Sequence, residues 1–133
     1  MTTRTVDTNI LVRLLVRDDS EQWATAARLA ADYRIVVVPT VLLETAWVLR
    51  SRFQFAREQM VVLFRHLAST QDVVLVEREN VLKAIDAFSK GMDFADAMHL
   101  YLMNTGDTFI TFDRDLVRFA NTHLNSVSVE LAR

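Results

Sequence analysis

The chain has 133 residues, 51% of them hydrophobic, with only 2 Gly, 1 Pro and no Cys. That composition fits a single compact, helix-rich domain over 1–133 and excludes a disordered chain, a disulfide framework and a thiolate metal site. The formal net charge of −2 gives no broad basic field, so a nucleic-acid partner would need a local basic rim. No basic stretch followed by an apolar core opens the sequence, and no apolar run approaches the ~18 residues of a membrane span. A cytoplasmic protein without membrane contact is therefore expected.

The first predicted element is a short strand at 5–6, ending in Asp7. An apolar helical pattern follows over 9–16 (Ile10, Leu11, Leu14, Leu15), with Thr8 or Asn9 suited to cap its first turn. Asp18-Asp19-Ser20 interrupts it, and Asp19 with Gln22 reads as a capping-box start for a helix reaching Tyr33. Ile35-Val36-Val37-Val38 predicts a strand buried on both faces, the mark of a parallel sheet. Pro39-Thr40 starts a helix that Arg50 and Arg52 close, and a further helix is expected over 56–68.

Strand 73–76 comes next, then a helix marked by Val81, Leu82, Ile85 and Phe88 and stopped near Gly91. Asp93 suits the cap of a helix over 94–103, which Gly106 ends. Strand 108–111, Phe112-Asp113, a helix over 114–121 and a half-exposed edge strand around Val127 and Val129 complete the chain. Helices alternating with strands predict an α/β fold, with a parallel sheet of about five strands between helical layers. Ligands of such folds bind outside the carboxyl ends of the strands.

One pattern recurs: an acid stands at the end of a strand or early in the helix after it. Asp7, Glu44, Asp96 and Asp113 share it. Each has a simple structural explanation. Glu44 and Asp96 could be first-turn acids complementing the helix dipole, while Asp7 and Asp113 could be turn or cap residues. Glu44 is the sharpest anomaly, because it interrupts the apolar run 41–49. Aimed at one crevice, two such charges ~5 Å apart at an effective dielectric of ~20 repel by roughly 3 kcal/mol. Protons or cations must then relieve them. An all-oxygen donor set is hard-cation chemistry and points to Mg²⁺ or Mn²⁺, which suits hydrolysis of phosphate esters.

The sequence resembles the PIN-domain ribonucleases and, within them, the VapC-type toxins of toxin–antitoxin pairs. The resemblance rests on Val6-Asp7-Thr8-Asn9 with the apolar run to Leu15, and on Pro39-Thr40-Val41-Leu42-Leu43-Glu44. It rests equally on Asp93-Phe94-Ala95-Asp96-Ala97 with His99-Leu100, and on Thr111-Phe112-Asp113-Arg114-Asp115-Leu116. It implies a three-layer α/β/α sandwich and a Mg²⁺- or Mn²⁺-dependent endoribonuclease acting on transfer RNA or another structured RNA. Asp7, Glu44, Asp96 and Asp113 would bind the metal. Asp115 could replace Asp113 in that role or cap the last helix. Thr8, Asn9 and Thr111 would orient the acids or the attacking water, with Asp93 in support. The resemblance also implies a VapB-like antitoxin as partner and self-association as a homodimer.

Arg13, Arg17, Arg50, Arg52, Arg114 and Arg118 could form the local rim for phosphates, or could be ordinary solvated helix residues. His99 reads as structural, since hard cations prefer oxygen. Trp47, Phe53, Phe55 and Phe64 read mostly as core. Phe53 and Phe55 could also edge a groove for the antitoxin. Two other functions fit an acid after the first strand: another small metal-dependent phosphoryl hydrolase, and a non-catalytic RNA-binding α/β module. A haloacid-dehalogenase-type site would want an acid two residues after Asp7, where Asn9 stands, and a lysine, of which the chain has only Lys83 and Lys90.

Overall fold

The structure, a computed structural model, describes residues 1–17 and 20–133. The helix start expected at Asp19 lies outside the described residues. The chain divides into two compact units, Met1–Arg78 and Glu79–Arg133.

The first unit runs β1 (Thr3–Thr5), α1 (Thr8–Val16), α2 (Ser20–Asp32), β2 (Arg34–Val37), α3 (Pro39–Ser51), α4 (Arg57–Ser69) and β3 (Val73–Leu75). Its sheet is parallel in the order β1-β2-β3, with Arg4 opposite Ile35 and Ile35 opposite Val73. Two bonds extend the ladder past the strand ends: Val6 N donates to Val36 O (3.2 Å) and Val76 N to Val37 O (3.0 Å). Burial of the central strand alternates. Ile35 and Val37 are buried and Val36 is half-buried, so one face is fully covered, where two were expected.

Pro39 opens α3, where its fixed φ suits the helix and its missing N–H costs nothing. Leu42, Thr45, Ala46 and Leu49 recur at helical spacing and are buried. Thr45 satisfies its hydroxyl by donating to Val41 O at 2.7 Å. That face leaves Glu44, Trp47 and Ser51 exposed. Met60, Phe64 and Leu67 of α4 also join the apolar interior of this unit.

The second unit runs α5 (Arg78–Ser89, from Glu79 on), α6 (Phe94–Leu102), β4 (Thr108–Thr111), α7 (Arg114–His123) and β5 (Ser128–Leu131). β4 and β5 pair in parallel, with Phe109 opposite Val129. Val81, Ala84, Ile85 and Phe88 bury one face of α5. Phe88 stacks on Phe94 with ring centroids 5.2 Å apart, a geometry worth about 0.5–1.5 kcal/mol beyond area burial. Gly91, at φ 122°, follows α5 in a backbone region that L side chains rarely adopt. All five expected strands are present, and pairing is parallel within each sheet; they fall in a three-stranded and a two-stranded sheet where one sheet of about five was expected. The fold class is α/β as the sequence indicates. Among the described residues, no helix is long and apolar enough to cross a membrane.

Candidate functional site

In the first unit, β1 ends just before Val6, which is buried, and Asp7 follows exposed. Asp7 itself is the N-cap of α1, in place of the expected Thr8 or Asn9. Its extended backbone (φ −89°, ψ 178°) lets Oδ1 accept from Ile10 N at 3.0 Å. Thr8, freed from capping, donates its hydroxyl to Glu44 Oε1 in a short hydrogen bond. Glu44 is the sixth residue of α3, which has no acid in its first turn. A dipole-complementing role therefore does not account for Glu44. Asn9, exposed, lines a cavity of about 280 Å³ together with Thr8, Glu44, Trp47, Arg13 and Arg52.

The second unit repeats the capping arrangement twice. Asp93 caps α6, its Oδ2 accepting from Asp96 N at 3.1 Å, and Asp96 is the acid of the first turn. Asp113 caps α7, its Oδ1 accepting from both Asp115 N (2.9 Å) and Leu116 N (3.1 Å). Thr111 Oγ1 accepts from Asp113 N at 3.0 Å and fixes the backbone at the strand end. Asp93, Asp96, Asp113 and Asp115 all line one cavity of about 200 Å³. Asp115 is also paired with Arg118 at 3.1 Å, both highly exposed, so the pair contributes little stability.

Asp96 is half-buried, and its carboxyl is held above the ordinary carboxylate range. Burial is the first cause; the negative charge of Asp93 and then of Asp113 adds to it, against an opposing pull from His99. His99 is exposed one turn along the same helix face.

A shared feature suits each of these acids, taken singly, to ligate a hard cation. Asp7 and Asp113 each commit one oxygen to the backbone, and Glu44 commits one to Thr8. Among the described residues, the second oxygen of each has no hydrogen-bond or ion-pair partner, so each carboxylate is oriented yet has ligating capacity to spare. The donor set is all oxygen. Among the described residues as placed, no group of three or more His, Cys, Asp or Glu could by itself hold a metal ion.

The aromatic and basic expectations divide. Phe64 is buried, but Trp47 is 69% exposed, against its reading as core. Its place on α3 is opposite the buried stripe, so it cannot reach the interior. Phe53 and Phe55 are half-buried and meet edge to face at 6.3 Å. Arg13 and Arg52 flank Glu44 in its cavity, whereas Arg17 lies over the Trp23 ring at 5.5 Å. Phe112, not singled out in the sequence, is 87% exposed beside Asp113.

The cap geometry separates structure from chemistry at Asp7. Asp7→Asn keeps an acceptor for Ile10 N, and its melting temperature is expected to stay within about 2 °C of the parent. Asp7→Ala loses the cap and about 1 kcal/mol, a drop of several degrees. Thermal unfolding followed by circular dichroism checks both.

A family model described as PIN domain matches residues 5–122. Comparison with curated proteins and with solved structures finds no match.

Proposed function

The chain belongs to the PIN domain family, whose members are generally nucleases that use divalent metals, and from that premise we propose that it is a Mg²⁺- or Mn²⁺-dependent endoribonuclease. The observation that carries this reading is the half-committed state of the acids: Asp7, Glu44 and Asp113 are each oriented through one oxygen only. Asp7, Glu44, Asp96 and Asp113 are assigned as metal ligands, with Thr8, Thr111, Asn9 and Asp93 in support. Asp113 is preferred to Asp115 as the fourth ligand, because its carboxylate is fixed by two backbone amides whereas Asp115 meets only an exposed arginine.

A bound divalent cation supplies positive charge at the phosphoryl oxygens and lowers the pKa of water, which is what phosphodiester hydrolysis needs. The chain's own residues do the positioning. Thr8 holds the Glu44 carboxylate in one rotamer. The α1 and α7 amides hold Asp7 and Asp113, so little ordering remains to be done when ligands bind. Asp93 fixes the start of α6 and so the place of Asp96, and its negative charge keeps Asp96 avid for positive charge. No His or Lys general base is required.

The four motifs at 6–15, 39–44, 93–97 and 111–116 support a finer reading: a cytoplasmic VapC-type toxin, a homodimer restrained by a VapB-like antitoxin. Its substrate would be transfer RNA or another structured RNA, and Phe53 and Phe55 would edge the antitoxin groove. One assay series tests both levels. The purified chain should cleave RNA with Mg²⁺ or Mn²⁺, stop on addition of chelator, and resume on metal excess. Induction should arrest growth with the parent but not with Asp7→Asn, and co-expression of a cognate VapB-like antitoxin should restore growth. RNA cleavage that persists undiminished in chelator would end the metal assignment.

A further inference from the structure

The chain contains ten Phe and Trp side chains (8 Phe, 2 Trp), of which three are buried and five half-buried. Only Trp47, 69% exposed, and Phe112, 87% exposed, stand among the strongly exposed large apolar residues. Both stand beside an assigned acid. Trp47 lies one helical turn after Glu44, on the same face of α3, and both line the same cavity. Phe112 immediately precedes Asp113 at the carboxyl end of β4.

Neither ring sits on a loose segment. Trp47 is in the middle of a thirteen-residue helix whose opposite face is buried. Phe112 is flanked by pinned backbone: on one side Thr111 takes the Asp113 amide, and on the other the Asp113 carboxylate takes two amides of α7. A ring carried on a fixed backbone has only two side-chain torsions left to lose when something planar stacks on it. Cations accompany both rings. Arg13 and Arg52 line the Trp47 cavity, and exposed Arg114 follows Asp113. A planar apolar face with a positive charge beside it fits a nucleobase attached to its phosphate, and only an unpaired base has a face to offer.

Resting on the endoribonuclease reading, we propose that Trp47 and Phe112 are substrate-stacking residues, each receiving an unpaired base of the RNA next to the acid it neighbours. Apolar protein partners would also cover exposed rings, but the arginines beside both rings favour a polyanion. The roles are separable from folding because both side chains are outside the core.

The test is binding of a short fluorescein-labelled single-stranded RNA, followed by anisotropy in chelator at low salt, where no cleavage interferes. Trp47→Ala and Phe112→Ala should each weaken binding by about 5- to 150-fold. Trp47→Phe and Phe112→Trp should restore most of it, and all four should melt with the parent. A same-sequence duplex should bind more weakly than the single strand and respond little to either alanine change. The proposal is overturned if both alanine variants bind the single strand within twofold of the parent, or if duplex and single strand bind alike. A parent that binds in this pattern but cleaves no RNA with any divalent metal would sink the nuclease reading and leave the stacking role standing.

Discussion

Asp96→Asn is expected to lower metal-dependent RNA cleavage by about 100-fold or more. A cation's charge stabilisation in phosphoryl transfer is worth several kcal/mol, and each ~1.4 kcal/mol lost is a factor of ten in rate. Initial rates at saturating Mg²⁺ read this directly, and cleavage within threefold of the parent would remove Asp96 from the ligand set. The same substitution has an opposite signature in the metal-free protein. The Asp96 carboxyl is held above its ordinary value of 3.8, so the folded state binds that proton more tightly than the unfolded chain does. Stability from the protonated form is fully present below the ordinary value and is lost as pH rises through the folded one. Asparagine does not titrate, so its melting temperature should gain on the parent's as pH goes from ~4 to ~7. Because Asp96 is only half-buried, solvent screening keeps that gain small. A variant that loses cleavage while gaining relative stability with pH identifies a group whose charge serves chemistry at the expense of folding.

Phe64→Ala should have the largest effect on stability. Phe64 is 0% exposed within the first unit, and deleting a fully buried aromatic costs about 3–5 kcal/mol. For a chain of this length the melting temperature should fall by roughly 10–20 °C. Phe88→Ala, 1% exposed in the second unit, should act similarly. The two variants also bear on domain organisation. The family match spans 5–122, across both units, and the proposal of one domain requires one cooperative transition. Both tryptophans, Trp23 and Trp47, belong to the first unit, so their fluorescence reports that unit alone. Fluorescence and far-ultraviolet circular dichroism should melt together in each variant. In Phe64→Ala, an early fluorescence transition with a later helical one would mean two domains.

The elements were legible because the local signals agree with one another. Pro39, the β-branched run at 35–38 and the cap-competent Asp93 each fix a boundary within a residue or two of where the structure has it. The cap of α1 falls on Asp7 and not on Thr8 or Asn9, a choice sequence alone leaves open because all three residues in succession can cap. The choice depends on where β1 leaves its ladder, which is settled by pairing with β2. The face of α3 was hidden for a related reason. Val41, Leu42, Leu43, Ala46, Trp47, Val48 and Leu49 form a nearly continuous apolar run, while the buried stripe includes a threonine. Periodicity could not show that Trp47 faces water. Phe112 gave no signal, since an apolar residue after β4 reads as more strand, and only the completed turn into α7 exposes it.

The bonding of Asp113 has a consequence for how its loss would look at the bench. An asparagine there must turn its carbonyl oxygen to the two amides of α7, because they are donors and need an acceptor. Its amino group is then forced into the place of the uncommitted oxygen and points partial positive charge at any incoming cation. Such a variant repels the ion rather than merely binding it less well, so flooding the assay with magnesium should not revive it.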